Sequence, residues 1–209
     1  MNRYLFVVAT ILIVTISHAQ TNAITDTGDE VVLYDDGTWT YKDGTAVEKA
    51  PIPVNDEKFE KHKDASFLVK STKIDIGLYM DPKSWSFRKG TENDAYEFQF
   101  QKKKDDLYGM LITEKLEIPV ESLQNIAIDN ARAAAPDLKV TKEEYRMVNG
   151  LQVLMMQMTG TIQGMRFTYC GYYYSNEGGA VQLLTYTGEK LFDEYYPEIE
   201  KFLNGFVTL

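Results

Sequence analysis

LQVLMMQMTG, Leu151 to Gly160, decides the fold, because its apolar side chains do not keep to one side. Successive side chains of an extended strand point to opposite faces. Val153 and Met155 therefore share one face, while Leu154, Met156 and Met158 share the other. A sheet that is apolar on both sides at its centre needs a covering layer over each.

The neighbours of this strand read as a meander. EYRMV precedes it across Asn149-Gly150, and MRFTYCGYYY follows a turn around Gln163-Gly164. Then GAVQLLTYT, Gly179 to Thr187, follows the turn Ser175-Asn176-Glu177-Gly178. Further upstream, AYEFQFQ places Tyr96, Phe98 and Phe100 on one face and Glu97, Gln99 and Gln101 on a wetted one. Leu107 to Thr113 supplies its hairpin partner.

Two helices can provide the layers. Pro119 suits a first helical turn, Leu123, Ile126, Ala127 and Ala131 recur at helical spacing, and Pro136 ends the run. In EKLFDEYYPEIEKFLNGF an apolar stripe runs from Leu191 through Ile199 and Phe202 to Phe206, with a break or kink expected at Pro197 and a stop at Gly205. The expected architecture is an α+β fold with a mainly antiparallel sheet sandwiched between helices.

The first 19 residues have the form of a signal peptide: Arg3, an apolar run from Leu5 to Ile16, then Ser17 and Ala19. That run is shorter than the roughly 20 residues a membrane-spanning helix needs. Gln20 follows Ala19 where a lipoprotein would carry cysteine. The expectation is a periplasmic or secreted protein with no transmembrane segment after cleavage. Losing Arg3 and no acid takes the formal charge from −9 to −10. So acidic a chain is repelled by phosphate backbones, which argues against nucleic acid as a partner.

Residues 20–45 contain VVLYDDGTWTYKD, in which Asp36-Gly37 predicts a two-residue type I′ hairpin pairing Tyr34 with Trp39 and Val32 with Tyr41. Its aromatic side must rest on something, since an isolated hairpin is marginal in water. Packing on the main domain and contact with a partner, including an adaptor role in a larger assembly, both remain open. Residues 46–65, with Pro51 and Pro53 followed by mixed charges, read as a linker, and residues 66–209 as the main domain.

The catalytic inventory is thin. After cleavage His62 is the sole histidine and lies in the charged linker, so a nucleophile-imidazole pair is hard to assemble. Cys170, the sole cysteine, sits within a strand and reads as buried and inert. No P-loop, GxGxxG or GxSxG occurs, and no cofactor or metal site is expected. Aromatic residues are the remaining clue. Tyr34, Trp39, Tyr41, Trp85, Tyr172 and Tyr174 are the candidate binding residues, although packing explains such side chains equally well.

IGLYMDPKSWSF, Ile76 to Phe87, and VQLLTYTGEKLFDEYYPEIEKFLNGF, Val181 to Phe206, give the domain a resemblance to the PsbP/Mog-type fold family. The hairpin segment is similar to DGTW-containing stretches of exported bacterial proteins. The family resemblance implies a non-enzymatic binding or assembly module, here of the periplasm or cell envelope, whose partner is an unknown protein or small ligand. The alternative is an envelope hydrolase working with acidic side chains alone.

Overall fold

The computed structural model describes residues 20–24, 30–34, 39–42, 51–91 and 95–209. The expected signal at 1–19 and the Asp36-Gly37 turn lie outside them, as does the side chain of Tyr34. The chain divides into two units, Met1–Pro51 and Ile52–Leu209.

In the first unit, β1 (Gln20–Ile24), β2 (Glu30–Tyr34) and β3 (Trp39–Tyr41) form an antiparallel sheet in that order. The strand β1 had no expected counterpart. The register of β2 on β3 is also one residue away from the expected one: Leu33 pairs with Trp39 and Val31 with Tyr41. A one-residue slip exchanges the two faces of a strand, so Trp39 and Tyr41 lie with Val31 and Leu33, not with Val32.

The second unit carries an eight-stranded sheet and a three-stranded one. Along the chain come β4 (Val54–Phe59), β5 (Phe67–Lys70), β6 (Ile76–Met80), β7 (Trp85–Lys89), β8 (Phe98–Lys102), β9 (Leu107–Glu114), α1 (Val120–Ala134), β10 (Lys139–Val148), β11 (Leu151–Ile162), β12 (Met165–Asn176), β13 (Gly179–Gly188), α2 (Phe192–Leu203) and β14 (Phe206–Thr208). The large sheet runs β4-β10-β11-β12-β13-β9-β8-β7 and the small one β14-β6-β5. Of the pairings among the described residues, only β4 with β10 is parallel.

The meander is set by its turns. Asn149 and Gly150 have φ of 49° and 84°, and Gln163 and Gly164 have 51° and 81°. Positive φ at both central residues is what a two-residue I′ turn requires. Gly179 reaches φ 145°, and a Cβ there would stand 2.3 Å from the Glu114 carbonyl oxygen, so glycine alone fits between β13 and the end of β9.

The alternation in β11 sorts the interior into two apolar clusters. Val153 and Met155 join Cys170, Tyr172, Leu183 and the α2 residues Ile199, Phe202 and Leu203. Leu154, Met156 and Met158 join Tyr173, Leu184 and the α1 residues Leu123 and Ala127. The small sheet, through Leu78 and Phe206, belongs to the first cluster.

Several expectations need correction. The second half of the linker is not a linker: Val54–Phe59 form β4, and Tyr145 donates its backbone N–H to the Pro53 carbonyl at 2.8 Å. The stretch IGLYMDPKSWSF spans two strands, β6 and β7, which belong to different sheets. The Asp81 carboxylate accepts from the Lys83 backbone and from Ser84 Oγ and so turns the chain between them. Helix α2 runs through Pro197 unbroken, and Phe206 lies beyond its end in β14.

Candidate functional site

Two of the expected binding residues prove to be core. Trp85 is buried and stacks on Phe202 with ring centroids 4.1 Å apart. Tyr172 is buried, and its hydroxyl donates to Asn204 Oδ1 at 2.6 Å. Neither offers surface to a partner, because strand alternation turns both toward α2. Tyr174 is half-buried with its ring edge on Phe206. On the N-terminal unit Trp39 is 51% exposed and meets Tyr41 edge-on at 5.3 Å. The six residues thus form no common site in the second unit, where only Trp85, Tyr172 and Tyr174 reside.

The first cluster is closed by polar groups that satisfy one another. Arg146 on β10 is buried and donates to Glu144 Oε1 at 2.6 Å, Glu200 Oε1 at 3.1 Å and Tyr196 Oη at 3.2 Å. Its guanidinium also lies over the Phe59 ring at 4.3 Å. Burial alone would lower the pKa of Arg146, but its hydroxyl and carboxylate partners more than reverse this and keep it charged. The arginine therefore ties β4 and α2 to β10.

Glu97 closes a second junction. Expected on the wetted face, it is instead buried, and it accepts from Thr113 Oγ1 at 2.6 Å, Ser71 Oγ at 2.7 Å, and the Thr72 backbone and hydroxyl at 2.5 and 2.9 Å. Burial raises its pKa; the hydrogen bonds from Thr113, Thr72 and Ser71 outweigh that, and the net shift is downward.

The second cluster is packed differently. Between α1 and the sheet lies a cavity of about 570 Å3, walled by Leu123, Ala127 and Ala131 from the helix and by Met110, Tyr173 and Leu184 from the sheet. Alanine at two helix positions facing the sheet leaves room that larger side chains would fill. The polar members of the wall are Gln182, Asn130 and Glu114, and Tyr169 and Tyr173 also line it. Tyr173 is fully buried, and its hydroxyl has no hydrogen-bond partner in the protein. Burial raises its pKa, so the group stays protonated.

From this cavity a row of side chains crosses the sheet. Tyr169, Tyr186, Tyr108, Gln101 and Ser86 are successive cross-strand partners on β12, β13, β9, β8 and β7. The rings of Tyr108 and Tyr186 stack at 5.3 Å and those of Tyr169 and Tyr186 meet at 5.6 Å. None of these tyrosines was singled out from the sequence. The signal is their common parity once strand order is known, and strand order is what single-strand periodicity lacks.

Elsewhere the surface is less suited to a ligand. A groove of about 680 Å3 beside β4 has Asp56, Lys58, Glu60 and Lys61 in its walls. His62, expected in a linker, lies on the turn after β4 with Nδ1 3.4 Å from Asp64 Oδ2. With Asp64, Asp81, Ser84 and Glu198 it lines a cavity of about 130 Å3. Asp81 is held below the usual carboxylate range by the Ser84 hydroxyl, the opposite of what a general acid needs. Cys170 is buried and its thiol is pushed up to about 12 by desolvation, as expected of an inert packing residue. Among the described residues no cluster of three or more His, Cys, Asp or Glu could hold a metal ion, and no helix is long and apolar enough to cross a membrane.

No protein-family profile matches the chain, and no curated protein matches it. Solved structures do. The solution structure of cyanobacterial PsbP from Synechocystis sp. PCC 6803 is 12% identical, covers 68% of this chain and 92% of its own, and superposes with a TM-score of 0.52. LpqN of Mycobacterium tuberculosis, described as involved in cell envelope biogenesis, is 11% identical over 68% of this chain and 90% of its own, with a TM-score of 0.46. A Pseudomonas aeruginosa protein described as a putative regulator is 10% identical over 68% and 96%, with a TM-score of 0.44.

Proposed function

We propose that this chain, whose second unit has the PsbP-type fold, is an exported, non-enzymatic binding module of the periplasm or cell envelope that holds a small apolar ligand between α1 and the sheet. The sequence supports export through its signal-like first 19 residues. The observation that carries the binding role is the apolar cavity of about 570 Å3, a size and character common among small-molecule sites. Each helix serves in this reading as the cover of one sheet face, and α1 is the cover that leaves space.

The runner-up, an envelope hydrolase using acidic side chains alone, would need a carboxyl held protonated beside a second one. Among the described residues the carboxyls whose pKa departs clearly from the ordinary value are Asp81, Glu97, Asp137, Glu144 and Glu189, and all five are lowered. That weighs toward binding.

The test is titration of the purified mature chain with Nile red, an uncharged apolar fluorophore. Saturable binding is expected, and Ala131→Phe, which places a ring in the cavity, is expected to weaken it at least tenfold with the fold retained by circular dichroism. Affinity unaltered by a folded Ala131→Phe variant would remove the cavity from the reading.

A further inference from the structure

We infer that the ligand of this cavity is an amphiphile with an anionic head, such as a fatty-acid carboxylate, and that Arg88 receives that head at the cavity rim. The inference rests on the binding reading above and names the chemical class that the site selects.

Arg88 stands on β7, two strands from the cavity wall and on the same face of the sheet. Met110, part of that wall, is the cross-strand partner of Gln99 on β8, and Gln99 is the partner of Arg88. Strands lie about 4.8 Å apart, so about 10 Å of backbone separates Met110 from Arg88. The arginine side chain is turned back over that interval, because its Nε donates to Gln99 Oε1 at 2.7 Å. Its Nη2 donates to the Tyr96 hydroxyl, and the guanidinium lies over the Tyr96 ring at 5.3 Å. Ala95, the neighbour of Tyr96, is itself part of the cavity wall. Both residues that hold Arg88 in place therefore adjoin the cavity.

The partners of Arg88 are neutral, and among the described residues no carboxylate pairs with it. Arg146 and Arg166, by contrast, are each matched by carboxylates. A guanidinium oriented by neutral groups keeps its charge for an anion, and its fork of donors suits a carboxylate. Beside it is a recess of about 170 Å3 whose other polar walls are Ser86, Gln99, Gln101 and Tyr108, with no acid among them.

Charge also sets the direction in which such a ligand lies. Glu114, the single charged residue of the cavity wall, is on β9 with Met110, about 13 Å farther along the strand. An anionic head is repelled from the Glu114 end and drawn to the Arg88 end, with the apolar body between α1 and the sheet.

The experiment sets three linear probes of equal carbon count, each below its micellar concentration, in competition with Nile red on the mature chain: decanoate, decan-1-ol and decylammonium. Decanoate is expected to bind about fivefold more tightly than decan-1-ol, the upper range for an exposed ion pair, and decylammonium most weakly. The preference for decanoate is expected to shrink as salt is raised. Arg88→Gln is expected to abolish it with the fold retained by circular dichroism, and Arg88→Lys, which keeps the charge, to retain part of it. Equal binding of decanoate and decan-1-ol by the natural chain, a preference that survives Arg88→Gln, or tightest binding of decylammonium would each overturn the inference while leaving the cavity reading intact. Failure of Nile red and all three probes to bind would overturn the cavity reading itself.

Discussion

The two faces of β11 pack into different apolar clusters, one with residues of α2 and one with residues of α1, and the two are finished to different standards. On the α2 face every buried polar group named above has partners: Arg146 holds two carboxylates and a tyrosine hydroxyl, Glu97 accepts four hydrogen bonds, and Tyr172 meets Asn204. On the α1 face a buried hydroxyl is unpaired and a cavity remains. Interiors normally close to crystal-like density. In the binding reading proposed above, the face that stays open is where stability is given up for contact with a ligand.

The sharpest way to break this contrast is Arg146→Ala. Removing the buried arginine takes the cation from Glu200 and leaves Glu144 with only the exposed Lys142 and the Asn55 amide, and a loss of about 3–5 kcal/mol is expected from urea unfolding. A loss below about 1 kcal/mol would mean that the clamp does not bind α2 to the sheet.

A paired truncation compares the faces directly. Leu203→Ala, on the α2 face, is expected toward the upper end of the usual range of about 2–5 kcal/mol, and Leu123→Ala, which borders the existing cavity, toward the lower end. Both leucines are buried, so area burial alone predicts equal losses. Equal losses would mean that the two faces are packed alike.

The gentlest probe is Glu97→Gln, expected to cost about 1–3 kcal/mol at neutral pH. The folded pKa of Glu97 lies below its ordinary value of 4.5. Its contribution is therefore complete above that pH and is lost as pH falls through the lower folded value. Melting temperatures of the natural chain and the variant should converge as pH is lowered from 6 toward 3. A gap that is constant across that interval would show that the carboxylate's charge is not what the junction uses.

How much of this was legible in the sequence depended on whether the cause was local. The two-sided alternation of Val153 to Met158 and the dipeptides Asn149-Gly150 and Gln163-Gly164 act within a few residues, and the meander formed as they dictate. Strand β4 was missed because VNDEKF shows no apolar alternation; as an edge strand it contributes little core and is held by parallel pairing to β10, far along the chain. Glu97 was misplaced for a similar reason, since its partners Ser71 and Thr72 come from a loop more than 20 positions upstream. The hairpin register failed because Asp-Gly is only a local preference, while β2 pairs along one edge with β1 and along the other with β3, Leu33 opposite Trp39. The cavity did leave a trace: IAIDNARAAA is a helix whose sheet-facing side is short in volume, and only against Met110, Tyr173 and Leu184 does that shortage become space.

Strand β4 also sets the order in which the molecule can be completed. Asn55 and its contact Glu144 are separated by 89 positions, so at about 5–20 residues per second the ribosome releases the first roughly 4 to 18 seconds before the second. During that delay VNDEKF has no neighbour to receive its backbone hydrogen bonds. Its charged side chains keep the waiting segment wetted and unattractive to other chains, so the piece synthesised early is the one installed late.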